Sequence, residues 1–540
     1  MTDGGATYLI REKTLSDIED GGSIHFLDNG LVAELIIEDG INVKQFGAYG
    51  DGINDDTEAI QKALLFANVV HFDDGTYLLT SNIPITKSCT IIGHYTKIIG
   101  YGFEAIDKTN LSISVDGIKF EDITFNALNI KGSKLIVNSC DFVDIGTSDD
   151  LEVTYQGAGI YASDDFDITV KNSKFNLCRG HGAIFTVNNG HVKINGNQFD
   201  DNLYRAILLY ANSTSYIVNG EISNNYIVDC GKSNETGSAV GCNGIYSVTG
   251  SQVMLRRNTI INCRENAIEG VFKIIDSNIV DGTNVEIDTK TTPSVEGIFL
   301  SPTHDVIVTN NHLTNVKKKG INLYSSEKAS TNKILIENNT IDEIEEYANE
   351  AYSICFLDEV GISNKTISKN NVQDKIYFKN SVENNTYVGD ISCLNVENCK
   401  FNNIISSNMS CNFVHTFKTS IEPFTYSNCS PTIVSSSSIS KNVVRIDYEQ
   451  YNRLISPILP NGTTNYLNMK VYCRGYGKIE LYKNNSYLKG LAVVSSDTFT
   501  EIDIISLYTK SISDDVNIWF VADKDSYLEI ANVSYNVVFK

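Results

Sequence analysis

The chain has 540 residues, is 42% hydrophobic and carries a formal net charge of −23. So acidic a balance excludes a general nucleic-acid binder or a protein drawn to anionic membranes. No run approaches the roughly 20 apolar residues of a membrane-crossing helix, so no membrane insertion is expected.

Residues 1–40 read as an attachment or linker segment, with Gly pairs at 4–5 and 21–22 and one apolar run at 31–37. Next comes I-N-V-K-Q-F-G-A-Y-G-D-G-I-N-D-D-T-E-A-I-Q-K-A-L at 41–64. Asp55 can cap a helix there, with Glu58 as its capping-box partner. Ala59, Ile60, Ala63, Leu64 and Ala67 form a helical apolar stripe, predicting a helix over 56–67. Such a helix would close the open end of a solenoid.

This stretch, followed by F-D-D-G-T-Y at 72–77, resembles the lead-in motif of the pectate-lyase-like β-helix superfamily. That superfamily includes phage tailspikes and polysaccharide depolymerases, and the likeness extends to about residue 405. The resemblance implies a homotrimer on a phage tail, joined to the tail or baseplate through its N-terminus. It also implies a virion protein, made in the host cytoplasm, that acts on a bacterial surface polysaccharide.

From Phe166 to Leu323 one short pattern recurs. One half is Asn-x-hydrophobe, at Asn197, Asn225, Asn258 and Asn311; the other is Gly or Ala before Ile, at Ile184, Ile207, Ile245, Ile268, Ile298 and Ile321. These isoleucines step by 23, 38, 23, 30 and 23 residues, a base period with insertions in alternate copies. Short alternating runs between Asn and Gly turns make the unit β, with three strands and three turns. The expectation is an all-β chain: a right-handed parallel β-helix over 41–410 with an N-terminal capping helix. Corner asparagines should adopt left-handed geometry and hydrogen-bond from coil to coil.

The chain holds 12 cysteines and no C-x-x-C. Cys178, Cys230 and Cys263 each follow a repeat hydrophobe by three residues, which predicts a column of buried thiols rather than disulfides. No metal-ligand spacing is present, and neither a metal nor another cofactor is expected.

Insertions at 228–243, 281–296 and 342–352 should wall a groove whose floor is the Gly/Ala-Ile strand. With Ile inward, the next residue points out: Tyr161, Phe185, Leu208, Tyr246, Glu269, Phe299, Asn322. Rings in a row can stack on sugars or pad a subunit interface. Three residues before Ile stand His181, Tyr204, Glu265 and Lys318. The string R-G-H-G-A-I-F at 179–185 is similar to a polygalacturonase segment, without that family's G-D-D-C pair.

Five of nine arginines lie between Arg179 and Arg264. Hydrolysis of a glycoside needs two carboxyls, one acid and one base or nucleophile. Glu269 is the acid of the outward column, so it is the expected catalyst, paired with Glu265 or Glu296. Arg205, Arg264 and Tyr246 would hold an anionic sugar, with His181, Tyr204, Phe299 and Arg179 as further contacts. Three functions stay open: an endo-glycosidase, a lyase on a uronic-acid polymer, and a non-catalytic adhesin.

Coils continue to about 410; a Ser-rich stretch makes 411–453 a linker or connecting strands. Longer alternating runs over 454–540 predict an antiparallel β-sandwich, for trimerisation or carbohydrate binding, with Trp519 mid-strand.

Overall fold

The computed structural model describes residues 6–147 except 38, 156–231 except 214, 243–282 except 249–250, and 296–342 except 326–332. Beyond these it describes 344–345, 351–358, 365–372, 375–379, 385–388, 394–397, 401–405, 425–427, 432–436, 441–447, 453–455, 462–510 except 485, 516–524 and 527–539. The chain divides into two compact units, 1–303 with 311–317, and 304–310 with 318–540.

The first unit begins with a three-stranded antiparallel sheet, in which Tyr8–Glu12 and Ile24–Phe26 flank Leu31–Leu35. Arg11 of the first edge strand pairs with Glu34 on the central strand and with Asp17 in the connection that follows. The capping helix runs Thr57–Phe66 and buries Ile60, Ala63 and Leu64. The expected Asp55–Glu58 capping box does not form. Asp55 instead accepts from the Thr57 amide at 3.0 Å, and Glu58 pairs with Lys62 at 2.8 Å. Asp56 holds the N-cap position, yet its carboxylate turns to the backbone N–H groups of Tyr49 and Gly50. A capping box does form just upstream, between Asn42 and Gln45 at the turn Val43–Phe46.

From Phe166 the coils of the first unit contribute up to three short strands each, preceded by coils in which Cys89–Gly100 and Ser112–Ile123 run as single longer strands, and every described pairing between coils is parallel. Phe166–Lys171, Lys174–Cys178 and Gly182–Val187 pair with Gly190–Asn195, Gln198–Asp200 and Arg205–Tyr210 of the next coil. This is a right-handed parallel β-helix, as the period of 23 predicts. Ile184, Ile207, Ile245, Ile268 and Ile298 are fully buried at 0% exposure, so the repeat isoleucine does point inward. Phe120, Phe142, Phe175 and Phe199 stack inside, with successive ring centroids 5.2, 4.6 and 4.8 Å apart. Stacking one side chain per coil lets a narrow interior reach dense packing without irregular rotamers.

The corner asparagines form a ladder. Asn197 accepts from the Ser173 amide, and its own amide donates to Asn225 Oδ1; the pattern repeats through Asn258, Asn278 and Asn311. Asn278 belongs to this ladder although the spacing of the repeat does not predict it. The left-handed residue is not the ladder asparagine but the one before it: Asn224, Arg257, Ser277 and Asn310 have φ of 55, 52, 58 and 57°. The preceding residue makes the turn, which frees the ladder asparagine to point inward.

Cys178, Cys230 and Cys263 are buried and form no disulfide. Burial pushes the Cys89 and Cys140 thiols up to about 11 and about 12. Thiols so held carry almost no thiolate near neutral pH.

In the second unit, Val306–Thr309, Ile334–Glu337, Lys365–Ser368, Asn385–Val388 and Phe401–Ile405 pair in parallel in turn. Lys319–Ser325, Tyr352–Asp358, Lys375–Lys379 and Leu394–Glu397 form another parallel ladder. C-terminal strands make an eight-stranded antiparallel sheet around the long hairpin Gly462–Lys483 with Ser486–Lys510. The sheet also takes in Thr425–Ser427, Thr432–Ser436 and Lys441–Asp447, from the stretch expected to connect. Trp519 is 3% exposed and stacks on Tyr482, so it serves as core rather than as an open sugar platform.

Candidate functional site

The register places the outward column as the alternation of a strand requires. Tyr161, Phe185, Leu208, Tyr246, Glu269 and Phe299 are successive partners on neighbouring strands of the first unit. Asn322 lies in the second unit, beside Cys355. The column is not an evenly exposed floor. Phe185 and Leu208 are buried at 3% and 2%, packed under Tyr161, Tyr210 and Tyr246. Large apolar side chains on an outward face bury one another where their neighbours are also large. Glu269 stands at the upper edge of that patch, between Tyr246 and Phe299.

Glu269 sits on the short strand Ile268–Gly270. Gly270 ends it with φ of 115°, and a Cβ there would lie 1.7 Å from the Ser247 carbonyl oxygen. Only glycine fits, so the backbone at Glu269 is pinned against the coil below. Its carboxyl is held on one side. Asn243 Nδ2 donates to Oε2 at 2.6 Å, and Asn266 Nδ2 donates to the same oxygen at 2.8 Å. Among the described residues, Oε1 accepts no hydrogen bond.

Each asparagine is braced in turn. Asn243 Oδ1 accepts from Arg205 Nε at 3.1 Å, and Asn266 Oδ1 accepts from the Glu296 amide at 2.8 Å. The Arg205 guanidinium lies over the Tyr246 ring, 4.7 Å from its centroid. Desolvation by burial raises the Glu269 pKa; the two amide bonds oppose this, and the Glu265 charge adds to the rise. Burial also raises the Tyr246 pKa, with help from Glu269. The result is a carboxyl whose proton is retained above the usual glutamate range, beside a buried cation.

The other expected residues fall as follows. Glu265 is half-buried and acts electrostatically on both Glu269 and Tyr246. Glu296 is 2% exposed at the start of the next strand. Phe299 is half-buried and is the register partner of Glu269. Arg264 is half-buried on the same turn, its amide bonded to the Cys230 carbonyl. His181 and Tyr204 pack edge to face, 5.4 Å between centroids, and burial with the Arg205 charge lowers the His181 pKa.

Arg179 is drawn away from Glu269 to pair with Asp144. Arg257 is likewise tied elsewhere, donating to Asn224 at 2.9 Å. The five arginines close in sequence are therefore not one cluster. Arg256 ends the strand Gln252–Arg256, outside the sheet that carries Glu269, because neighbours in sequence are split among the parallel ladders of a coil. Of the insertions at 228–243, 281–296 and 342–352 that should wall the groove, residues 232–242, 283–295, 343 and 346–350 lie outside the described residues.

Asn243 and Asn266 are the residues that sequence reading missed. The signal lies two positions before the repeat Ile or its Leu equivalent, a column of Asn126, Ala158, Gly182, Arg205, Asn243, Asn266 and Glu296 that turns polar from Arg205 on. Polar residues in a column next to a fully apolar one need partners, and here those partners form the site. Among the described residues no group of His, Cys, Asp and Glu gathers to hold a metal ion.

Residues 40–270 match the family described as "Rhamnogalacturonase A/epimerase, pectate lyase-like". The chain is 26% identical over 242 residues to plasmin and fibronectin-binding protein A of Streptococcus pneumoniae, 37% of this chain and 33% of that one. It is 28% identical over 162 residues to a capsule-specific depolymerase of a Klebsiella phage, 28% of this chain and 21% of that one. The chain thus spans a third or less of the length of these curated relatives. Among solved structures, the enzymatically active domain of tailspike protein 4 of bacteriophage CBA120 is similar at TM-score 0.34 and 13% identity, covering 99% of this chain and 73% of that one. The pectate-lyase-like resemblance of the lead-in motif is matched by the family model over 40–270, and a phage depolymerase is among the curated proteins of similar sequence.

Proposed function

We propose that this protein is a tailspike depolymerase that binds a bacterial capsule or O-antigen and cuts it by endo-glycosidic hydrolysis. The observation that carries the reading is the carboxyl of Glu269, outward in its column, half-buried, and held through one oxygen by Asn243 and Asn266. A retained proton suits a general acid. Glu269 gives that proton from Oε1 to the leaving glycosidic oxygen. The two amide donors then stabilise the negative charge left on the carboxylate. Glu265 serves as the second carboxylate, activating water or attacking the sugar. It is more open to solvent than Glu296, whose 2% exposure leaves little room for an incoming water. Arg205 and Tyr246 hold an anionic sugar beside the acid. In this reading the protein is a homotrimer on a phage tail, fixed through its N-terminal segment, and it works at the host surface.

Two other readings have an observation each. The neutral His181 beside Arg205 would suit a base in β-elimination from a uronate. The pneumococcal relative is named for binding plasmin and fibronectin, as a non-catalytic adhesin would be. The test is Glu269→Gln, nearly isosteric, on a panel of purified capsules with mass spectrometry of the products. The expected result is a cleavage rate lower by on the order of 10²–10⁴-fold with polymer binding retained. Cleavage at the parent rate overturns the assignment. Products carrying the ultraviolet absorbance of an unsaturated uronate would make the chemistry elimination, and binding without any cutting by the parent would make the protein an adhesin.

A further inference from the structure

A cleft opens on the outward face of the same first-unit sheet, toward its N-terminal coils. The register continues the outward column down from Tyr161 to Asn129 and then to Glu104. There a cavity of about 370 Å3 is lined by Asn82, Phe125, Asn126, Asn129, Gln156 and Tyr161. Sites for small ligands commonly enclose about 300–1,000 Å3.

Its walls are fixed by the fold. Asn126 is 8% exposed, and its Oδ1 accepts from the Ala158 amide at 2.9 Å. Asn82 accepts from the Gly102 amide at 3.2 Å and donates to Glu104 at 3.1 Å. The Phe125 ring rests against Tyr101, centroids 6.1 Å apart. The lining therefore offers four carboxamides and two half-buried rings, and none of those six side chains is charged.

That composition specifies a ligand class. A carboxamide sets a donor beside an acceptor, the complement of neighbouring hydroxyl groups. Flat rings give an apolar face to a sugar's C–H side. A carboxylate or phosphate ligand would call for an Arg or Lys in the lining. We propose that this cleft is a second saccharide-binding site, taking a neutral sugar unit and performing no chemistry on it.

The cleft and the Glu269 site belong to one face. Tyr161 and Glu269 are four strand steps apart, roughly 19 Å at normal strand spacing, with the buried patch of Phe185 and Leu208 between them. One polymer could contact both, an anionic unit at Arg205 and a neutral one here. The inference rests on the reading that this face binds polysaccharide, although glycoside binding can be measured without cleavage.

The experiment is saturation-transfer NMR with the methyl glycosides of glucose, galactose, mannose, rhamnose and N-acetylglucosamine. It compares the full chain with Asn129→Leu and Glu269→Gln, each variant checked by circular dichroism. At least one glycoside should receive saturation from the parent and equally from Glu269→Gln. Its affinity should fall roughly tenfold in Asn129→Leu, as loss of one hydrogen-bonding side chain predicts. If Asn129→Leu does not fold, Gln156→Ala at the rim replaces it. The proposal is overturned if no glycoside is saturated by the parent, if the cleft variant binds like the parent, or if only Glu269→Gln loses binding. A parent that binds glycosides but cuts no capsule sinks the hydrolase reading and leaves this site standing.

Discussion

Two sets of asparagines are buried equally deeply in this molecule and behave in opposite ways. At the corner of the coils, Asn258 is 0% exposed, accepts from the Asn225 amide and side chain, and donates to Ile222 O and Asn278 Oδ1. On the outward sheet, Asn243 and Asn266 are 1% and 2% exposed, and their donors go to the carboxyl of Glu269. A buried amide is costly unless its hydrogen bonds are made. The corner meets that demand with copies of itself and becomes structure. The sheet meets it with an ionisable group, and that group acquires a perturbed proton affinity.

If the contrast is real, the corner should respond most strongly in stability. Asn258→Ala strands the Asn225 donors and removes the donor from Ile222 O and Asn278 Oδ1. Each unsatisfied buried group costs about 1–3 kcal/mol, so a loss of about 3–5 kcal/mol is expected from the denaturant midpoint. The polymer-cleavage rate per folded molecule should not change. A midpoint within experimental scatter of the parent would mean the ladder is not what holds the coils.

Asn243→Leu should behave differently. It removes one donor from Glu269 and the acceptor from Arg205, with a stability loss of about 1–2 kcal/mol. Its signature is in the chemistry. The amide bond holds the Glu269 pKa down against burial, so removing it raises that pKa further. The alkaline limb of the cleavage profile should move to higher pH, and the maximal rate should fall roughly tenfold as the acid loses its orientation. An unmoved limb would reduce Asn243 to the same structural role as Asn258.

The corner was legible in the sequence and the site only in part, for one physical reason. A ladder asparagine repeats with the coil, so Asn197, Asn225, Asn258 and Asn311 announce themselves by spacing and by the hydrophobe two residues on. Asn278 was missed because the short copy between Asn258 and Asn311 breaks the rhythm. Glu269 was visible as the acid in an outward column, since strand alternation converts position into direction. Its partners were not. Asn243 and Asn266 precede a small residue and an inward isoleucine, where alternation alone gives no reason to expect contact with an outward side chain. The turn that leads into the strand makes the contact possible, and turn geometry is not written in periodicity. Arg179 shows the converse: near in sequence, it turns to Asp144, because a coil sends adjacent segments in three directions.

The smallest expected effect separates the two regions most cleanly, because it depends on a proton that only one of them carries. Burial raises the Glu269 pKa in the folded chain, while the unfolded chain should titrate this group near the ordinary value of about 4.3. Between those two values the folded state keeps a proton that the unfolded state has released. Stability therefore falls as pH rises through that window, and the contribution present below the unfolded value is gone above the folded one. Glu269→Gln has no such proton. The difference in denaturant midpoint between parent and Glu269→Gln should drift toward the variant as pH climbs from acid to neutral. The difference between parent and Asn258→Ala should stay flat over the same range, since no ionisable group touches that amide among its hydrogen bonds. Parallel curves for the two variants would show that Glu269 titrates like a solvent-exposed carboxyl, which would remove the physical basis for assigning it the acid's role.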